Sequence, residues 1–227
     1  MKDKKKIFKY LLKGVLIFLL FYYSAYLQLI PIYLFKLDPH NISSSLNVLL
    51  SCFSNIILVM ILWFIYRKEL KAEWKKFIKK FSWNCDIMSR YWITGLVVMM
   101  VSNIVISSFF KAGQAENEQA VQSMINALPW AMLIDAGILA PFIEEIVFRK
   151  SFRDVFQNKW VFAIVSALVF GGMHVIGSSS LVGYLYIIPY GCLGFVFALM
   201  YNKTNTVFTS VFAHMLHNSI LTLISIL

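Results

Sequence analysis

Charge is what this chain has least of. Only 14% of its 227 residues are Asp, Glu, Lys or Arg, little more than half the share usual in soluble domains. That scarcity, with 59% hydrophobic residues and a mean hydropathy of +0.71, excludes an ordinary soluble globule. Acidic residues are scarcest, 11 against 21 Lys and Arg. The resulting net charge of +10 is not a nucleic-acid signature, because the cations cluster beside hydrophobic segments, where cytoplasmic loops face anionic lipid. Cysteine is also sparse: Cys52, Cys85 and Cys192 are scattered and odd in number, which excludes a disulfide framework or a metal knuckle. No tandem repeat or low-complexity tract is present, and the Ser178-Ser179-Ser180 stretch reads as a turn.

What remains is long apolar runs. Seven can be marked, over residues 13–35, 46–66, 91–110, 129–148, 160–176, 184–201 and 207–227. The first follows Met1-Lys2-Asp3-Lys4-Lys5-Lys6 in the manner of a signal peptide, but it is too long for one and no small-x-small site follows it. It reads as an uncleaved span. The expectation is an all-α polytopic transmembrane helix bundle of about seven spans. It forms a single integral membrane domain, 1–227, with the chemistry-bearing helices at 129–227.

The positive-inside rule orients the spans. Lys2, Lys4, Lys5 and Lys6 put the N-terminus in the cytoplasm, and the loop with Arg67, Lys68, Lys71, Lys75, Lys76, Lys79, Lys80 and Arg90 falls on the same side. Arg149, Lys150, Arg153, Lys159 and Lys203 mark two further cytoplasmic turns, which leaves the C-terminus outside. Leu70, Trp74, Phe77, Ile78 and Phe81 recur at helical spacing within the basic loop. That loop is either an interfacial amphipathic helix touching anionic lipid or a solvated connector.

Against this background Glu144 and Glu145 stand out. An ionised side chain at the bilayer centre costs roughly 2.5–3.5 kcal/mol on insertion scales, and adjacent like charges resist joint ionisation. Arg149 lies one turn beyond Glu145 on the same face, so a structural ion pair is one reading. Two carboxylates exceed what one Arg needs, and later spans carry further polar groups. Counting at ~1.5 Å per residue puts the glutamates about 6–10 Å inside the cytoplasmic boundary, His174 about 20 Å along its span, and His214 and Asn218 about 10–17 Å in. Such groups normally face one another or a water-filled cavity. Bland readings remain beside this one. His174 can be a packed histidine, Asn218 an interhelical hydrogen-bonding residue, Gly171 and Gly172 close-contact positions. His217 reads as structural and His40 as solvated; Asp135 has no assigned role.

The spacing Glu144-Glu145-x-x-x-Arg149, Phe170-x-x-x-His174, His214-x-x-x-Asn218 resembles the three-motif signature of the CAAX prenyl protease and bacteriocin-processing family of intramembrane proteases, also called the Abi family. The resemblance covers about residues 141–218. It implies an all-α bundle with its catalytic residues in a cavity open to the cytosol. It implies that Glu144 and His174 activate a water, that His214 and Asn218 face the developing oxyanion, and that Glu145 and Arg149 support them. Glu144, His174 and His214 could also form a His₂Glu zinc site. There is no His-Glu-x-x-His, and a glutamate-activated water without an obligatory metal is the preferred reading. The substrate implied is a peptide or membrane protein rather than a prenylated chain, given a composition rich in Lys, Ile and Asn. No serine or cysteine nucleophile with an adjacent base is visible, nor a pair of Gly-Asp motifs. The alternatives are a non-catalytic bacteriocin immunity or scaffold protein, and a small proton-coupled carrier.

Overall fold

The computed structural model describes residues 2–227, with the side chains of residues 2–4 and 6 outside the described set. The charges of Lys2, Lys4 and Lys6, which oriented the N-terminus, therefore lie outside the described residues. The described residues form an all-helical membrane bundle with no strand. In chain order the helices are α1 (Lys2–Tyr22), α2 (Leu29–Leu34), α3 (Ser44–Lys79), α4 (Phe81–Phe110), α5 (Glu116–Ala127), α6 (Pro129–Ile134), α7 (Ala140–Glu144), α8 (Phe152–Val155), α9 (Lys159–Val175), α10 (Ile187–Thr204) and α11 (Val207–Ile226). Two π-helical segments, Asp135–Leu139 and Glu145–Ser151, join α6, α7 and α8 into one rod.

Seven crossing spans are not reproduced. Among the described residues four helices are long and apolar enough to cross a membrane, or five if a bent pair counts as one span. The bent pair is the expected first span, broken by 51° between Tyr22 and Ser24. The Ser24 hydroxyl turns back to the Phe21 carbonyl at 2.7 Å, and Ser54 of α3 donates to the Ser24 carbonyl at 2.6 Å. A break inside apolar surroundings survives because its freed carbonyls find donors. α9, at 17 residues, is short of a full crossing, and the rod from α6 to α8 is interrupted by its π segments.

The basic loop is not a separate interfacial helix. It continues α3, whose 36 residues extend about 54 Å against a hydrocarbon core of about 30 Å. Leu58, Leu62, Tyr66, Leu70, Glu73 and Phe77 are buried at steps of three and four, so one stripe packs along the whole rod. Trp74, Ile78 and Phe81 stay exposed. Near its end Glu73 is buried among partners from elsewhere. It accepts from the Val207 N–H at 2.7 Å and the Tyr201 hydroxyl at 3.0 Å, and lies 3.9 Å from Lys150. The carboxylate thus meets the first N–H of α11, where a helix N-terminus favours negative charge.

Side-chain caps set other starts: Ser43 accepts from Leu46 N, Asn158 from Trp160 N and Val161 N, and Thr206 from Phe208 N. α9 and α10 pack extensively against each other, with a close backbone approach at Gly171. A Cβ on Gly171 would sit 2.9 Å from both Gly191 N and Ile187 O, whereas one on Gly172 would meet nothing within 4 Å.

Candidate active site

Every residue from Glu145 to Ser151 is buried. This π segment runs through the middle of the bundle, touching α1, α9, α10 and α11, so its polar side chains must be satisfied by protein. Glu145 and Arg149 are both fully buried, with Nη2 3.3 Å from Oε1. Arg149 Nη1 reaches Ser166 Oγ at 3.4 Å, and Ser166 in turn donates to the Phe148 carbonyl at 2.8 Å. The guanidinium lies 4.5 Å above the Phe170 ring and 5.7 Å from that of Phe197, a cation–π setting for a desolvated charge. Gly194 makes room: a Cβ there would be 2.8 Å from Phe170.

His214 joins the two glutamates. Its Nδ1 is 3.0 Å from Glu145 Oε1, and its Nε2 is 3.6 Å from Glu144 Oε2. Phe197 and Phe170 flank the imidazole at 4.9 and 5.8 Å. The glutamates differ in access, since the Glu144 side chain is 17% exposed and that of Glu145 0%. Two carboxylates and one guanidinium leave one negative charge over. A proton on His214, or on a carboxyl, closes the balance. With His214 as imidazolium, Nδ1–H donates to Glu145 while Nε2–H faces Glu144 at ion-pair distance.

His174 stands beside this cluster, its ring against that of Phe170, which also flanks His214. Its Nδ1 is 2.8 Å from the Phe170 carbonyl, so Nδ1 carries the proton and neutral His174 keeps a lone pair at Nε2. Phe170 and Tyr190 hold the ring from two sides, each at 4.5 Å. Asn218, one turn beyond His214, donates from Nδ2 to the Ala136 carbonyl at 3.0 Å. His214 of the third motif thus meets Glu144 and Glu145 of the first and Phe170 of the second, while Asn218 is bonded to Ala136.

Residues 126–220 match the family model described as Type II CAAX prenyl endopeptidase Rce1-like. Over this stretch the chain is similar to the CAAX prenyl protease and bacteriocin-processing family, as its three motifs led one to expect. Among curated relatives, YdiL of Bacillus subtilis (strain 168), named as a candidate membrane peptidase, is 31% identical over 109 residues, 47% of this chain and 41% of YdiL. The UPF0177 proteins YajF and YxdF of Lactococcus lactis subsp. lactis (strain IL1403) are each 26% identical, over 67% and 69% of this chain and 77% and 86% of their own lengths. The match to YdiL spans less than half of that relative. No solved structure matches the chain.

A zinc ion held by Glu144, His174 and His214 would need these three side chains to converge. Among the described residues no three His, Cys, Asp or Glu side chains converge closely enough to hold a metal ion. Glu144 and His214 approach, and with Nδ1 of His174 engaged by a backbone carbonyl and Nδ1 of His214 by Glu145, Nε2 of each is the atom left for a ligand. His217 is structural: its Nδ1 takes the Trp92 indole N–H at 3.4 Å. Asp135 accepts from Ser51 at 2.9 Å and Asn55 at 2.8 Å, tying the first π segment to α3. Sequence reasoning missed Ser166, Tyr190 and Glu73, since each acts through a partner on a distant helix and carries no local signal. A cavity of about 540 Å³ opens beside Glu73, Lys76, Arg153, Asp154 and Tyr201, and none of the six motif residues lines it.

Proposed function

We propose that this protein is an intramembrane endopeptidase that hydrolyses a peptide bond of a membrane-associated peptide or protein with a water activated by Glu144. The observation that carries the reading is the His214-bridged glutamate pair, one carboxylate sealed against Arg149 and the other partly open. A general base must reach water and substrate. Glu144 meets that need, and Glu145 does not.

In this mechanism the water sits between Glu144 and Nε2 of His174. Glu144 takes one proton as the oxygen attacks the carbonyl carbon. The oxyanion is met by Nε2–H of His214 and the second amide hydrogen of Asn218. Collapse breaks the C–N bond, and the proton on Glu144 passes to the leaving amine. Charge within the cluster is conserved: the negative charge given up by Glu144 reappears on the oxyanion, still facing His214. Glu145 and Arg149 hold the imidazole in place, much as a buried carboxylate orients the histidine of a hydrolytic triad. No step needs a metal, and cleavage is expected to survive chelation. The N-terminus faces the cytoplasm and the C-terminus the outside, with the basic end of α3 against anionic lipid.

The test compares the membrane proteomes of cells carrying wild-type protein and Glu144→Gln. An uncleaved peptide or membrane protein that accumulates only with the variant is the expected result. Identical proteomes, with the variant folded and keeping the biological activity, would favour a non-catalytic immunity or scaffold role. A changed ion flux without altered cleavage would favour a carrier.

A further inference from the structure

Pro141 leaves a gap in the hydrogen bonding of the rod. Its missing N–H would serve the Gly137 carbonyl in an α-helix and the Ala136 carbonyl in a π-helix. The Ala140 N–H, the α-type donor for Ala136, instead reaches back five residues to Asp135. The Ala136 carbonyl therefore loses both backbone donors, one diverted and one nonexistent. A buried carbonyl left unpaired is costly, and α11 supplies the replacements. Asn218 Nδ2 donates to Ala136 at 3.0 Å, and Ser219 Oγ donates to Gly137 at 3.2 Å. The approach is close because residue 137 lacks a side chain: a Cβ there would lie 2.8 Å from Ser219 Oγ.

We infer that Pro141 is a positioning residue for Asn218, acting through the carbonyl it frees. An asparagine amide can sit either way round, and only its NH₂ end can meet a carbonyl. The Ala136 oxygen thus selects one orientation and leaves the second amide hydrogen to donate. This rests on the peptidase reading, in which that hydrogen meets the oxyanion. Removing one oxyanion donor typically lowers kcat by about 10²–10³-fold. Pro141→Ala restores an N–H, lets the segment wind as an α-helix, and returns Ala136 to its backbone donor. Asn218 is then released to rotate.

The experiment measures the full-length protein in lipid nanodiscs against the best-cleaved member of a pool of internally quenched peptides. For Pro141→Ala the expected result is a kcat lower by about 10-fold or more, KM within about 2-fold, and an unchanged or raised melting temperature, since an interior proline is lost from a helix. In an Asn218→Ala background the same change should do nothing further. A kcat within about 2-fold of wild type, a lowered melting temperature, or multiplied losses in the double variant would each overturn the inference. Inactive Asn218→Ala beside fully active Pro141→Ala sinks the positioning role alone. Asn218→Ala with wild-type kcat sinks the oxyanion role as well, and a wild-type protein that cleaves no peptide sinks the peptidase reading and this inference together.

Discussion

Replacing Arg149 with methionine fills similar space but removes the guanidinium paired with Glu145, leaving His214 as the remaining ion-pair partner of that carboxylate among the described residues. Both side chains are fully buried, so water cannot take over. Breaking a buried ion pair from one side costs about 3–5 kcal/mol. Lost contacts of the guanidinium with Phe170 and Ser166 act in the same direction. For a chain of this size about 2–4 °C of melting temperature corresponds to each kcal/mol, so Arg149→Met should melt about 6–20 °C below wild type. Adding Glu145→Gln removes the stranded charge while its amide oxygen still accepts from His214, and should recover most of the loss. The assay is thermal unfolding of purified wild type, both single variants and the double variant in one detergent. A shift below about 3 °C for Arg149→Met, or a double variant no better than the single, would refute the picture of a desolvated pair.

The two neighbouring glycines should respond with opposite signs. Gly171→Ala drives a methyl against the backbone of α10 and should destabilise by about 1–3 kcal/mol. Gly172→Ala meets nothing within 4 Å and should gain about 0.5–1 kcal/mol of helix stability; equal effects in denaturant titrations would contradict the helix contact described. Glu73→Ala strands the Val207 N–H and the Tyr201 hydroxyl, while Lys150 keeps Asp154 at 2.6 Å; it should cost about 3 kcal/mol, with Glu73→Gln milder, and a neutral Ala variant in thermal unfolding would count against the junction. Hydrogen bonds from Ser179 hold the Glu116 carboxyl below the ordinary glutamate range. The tie between α5 and the 178–180 turn is therefore complete above the ordinary glutamate value and lost as pH falls below it. Exchange of the Ser179 amide, corrected for intrinsic rates, should accelerate over that acid window, and flat protection would refute the link.

Some of this was legible from single residues and some could not be. Apolar runs reveal helices because each span must satisfy its backbone internally, whichever neighbours it has. The cost of charge in lipid singles out Glu144, Glu145 and Arg149 by the same local logic. The basic stretch at 67–80 misled, because Trp74, Ile78 and Phe81 imitate a membrane-facing side while the stripe through Leu70, Glu73 and Phe77 does the packing. Periodicity reports that a face exists and not what covers it. Nor could hydropathy show the break after Tyr22 or the two π segments, where hydrogen bonds shift register with little change in composition.

The sequence by itself determined the class of molecule, the identity of its polar groups and their rough depth, since transfer energies belong to residues one at a time. The tertiary structure alone decided that the two glutamates are unequal. Sequence spacing treats Glu144 and Glu145 as interchangeable neighbours. In the folded bundle Arg149 and His214 close on Glu145, which is fully buried, while the Glu144 side chain stays partly exposed. Exposure depends on what other helices bring to a side chain, and so does the gap at Pro141 that α11 fills.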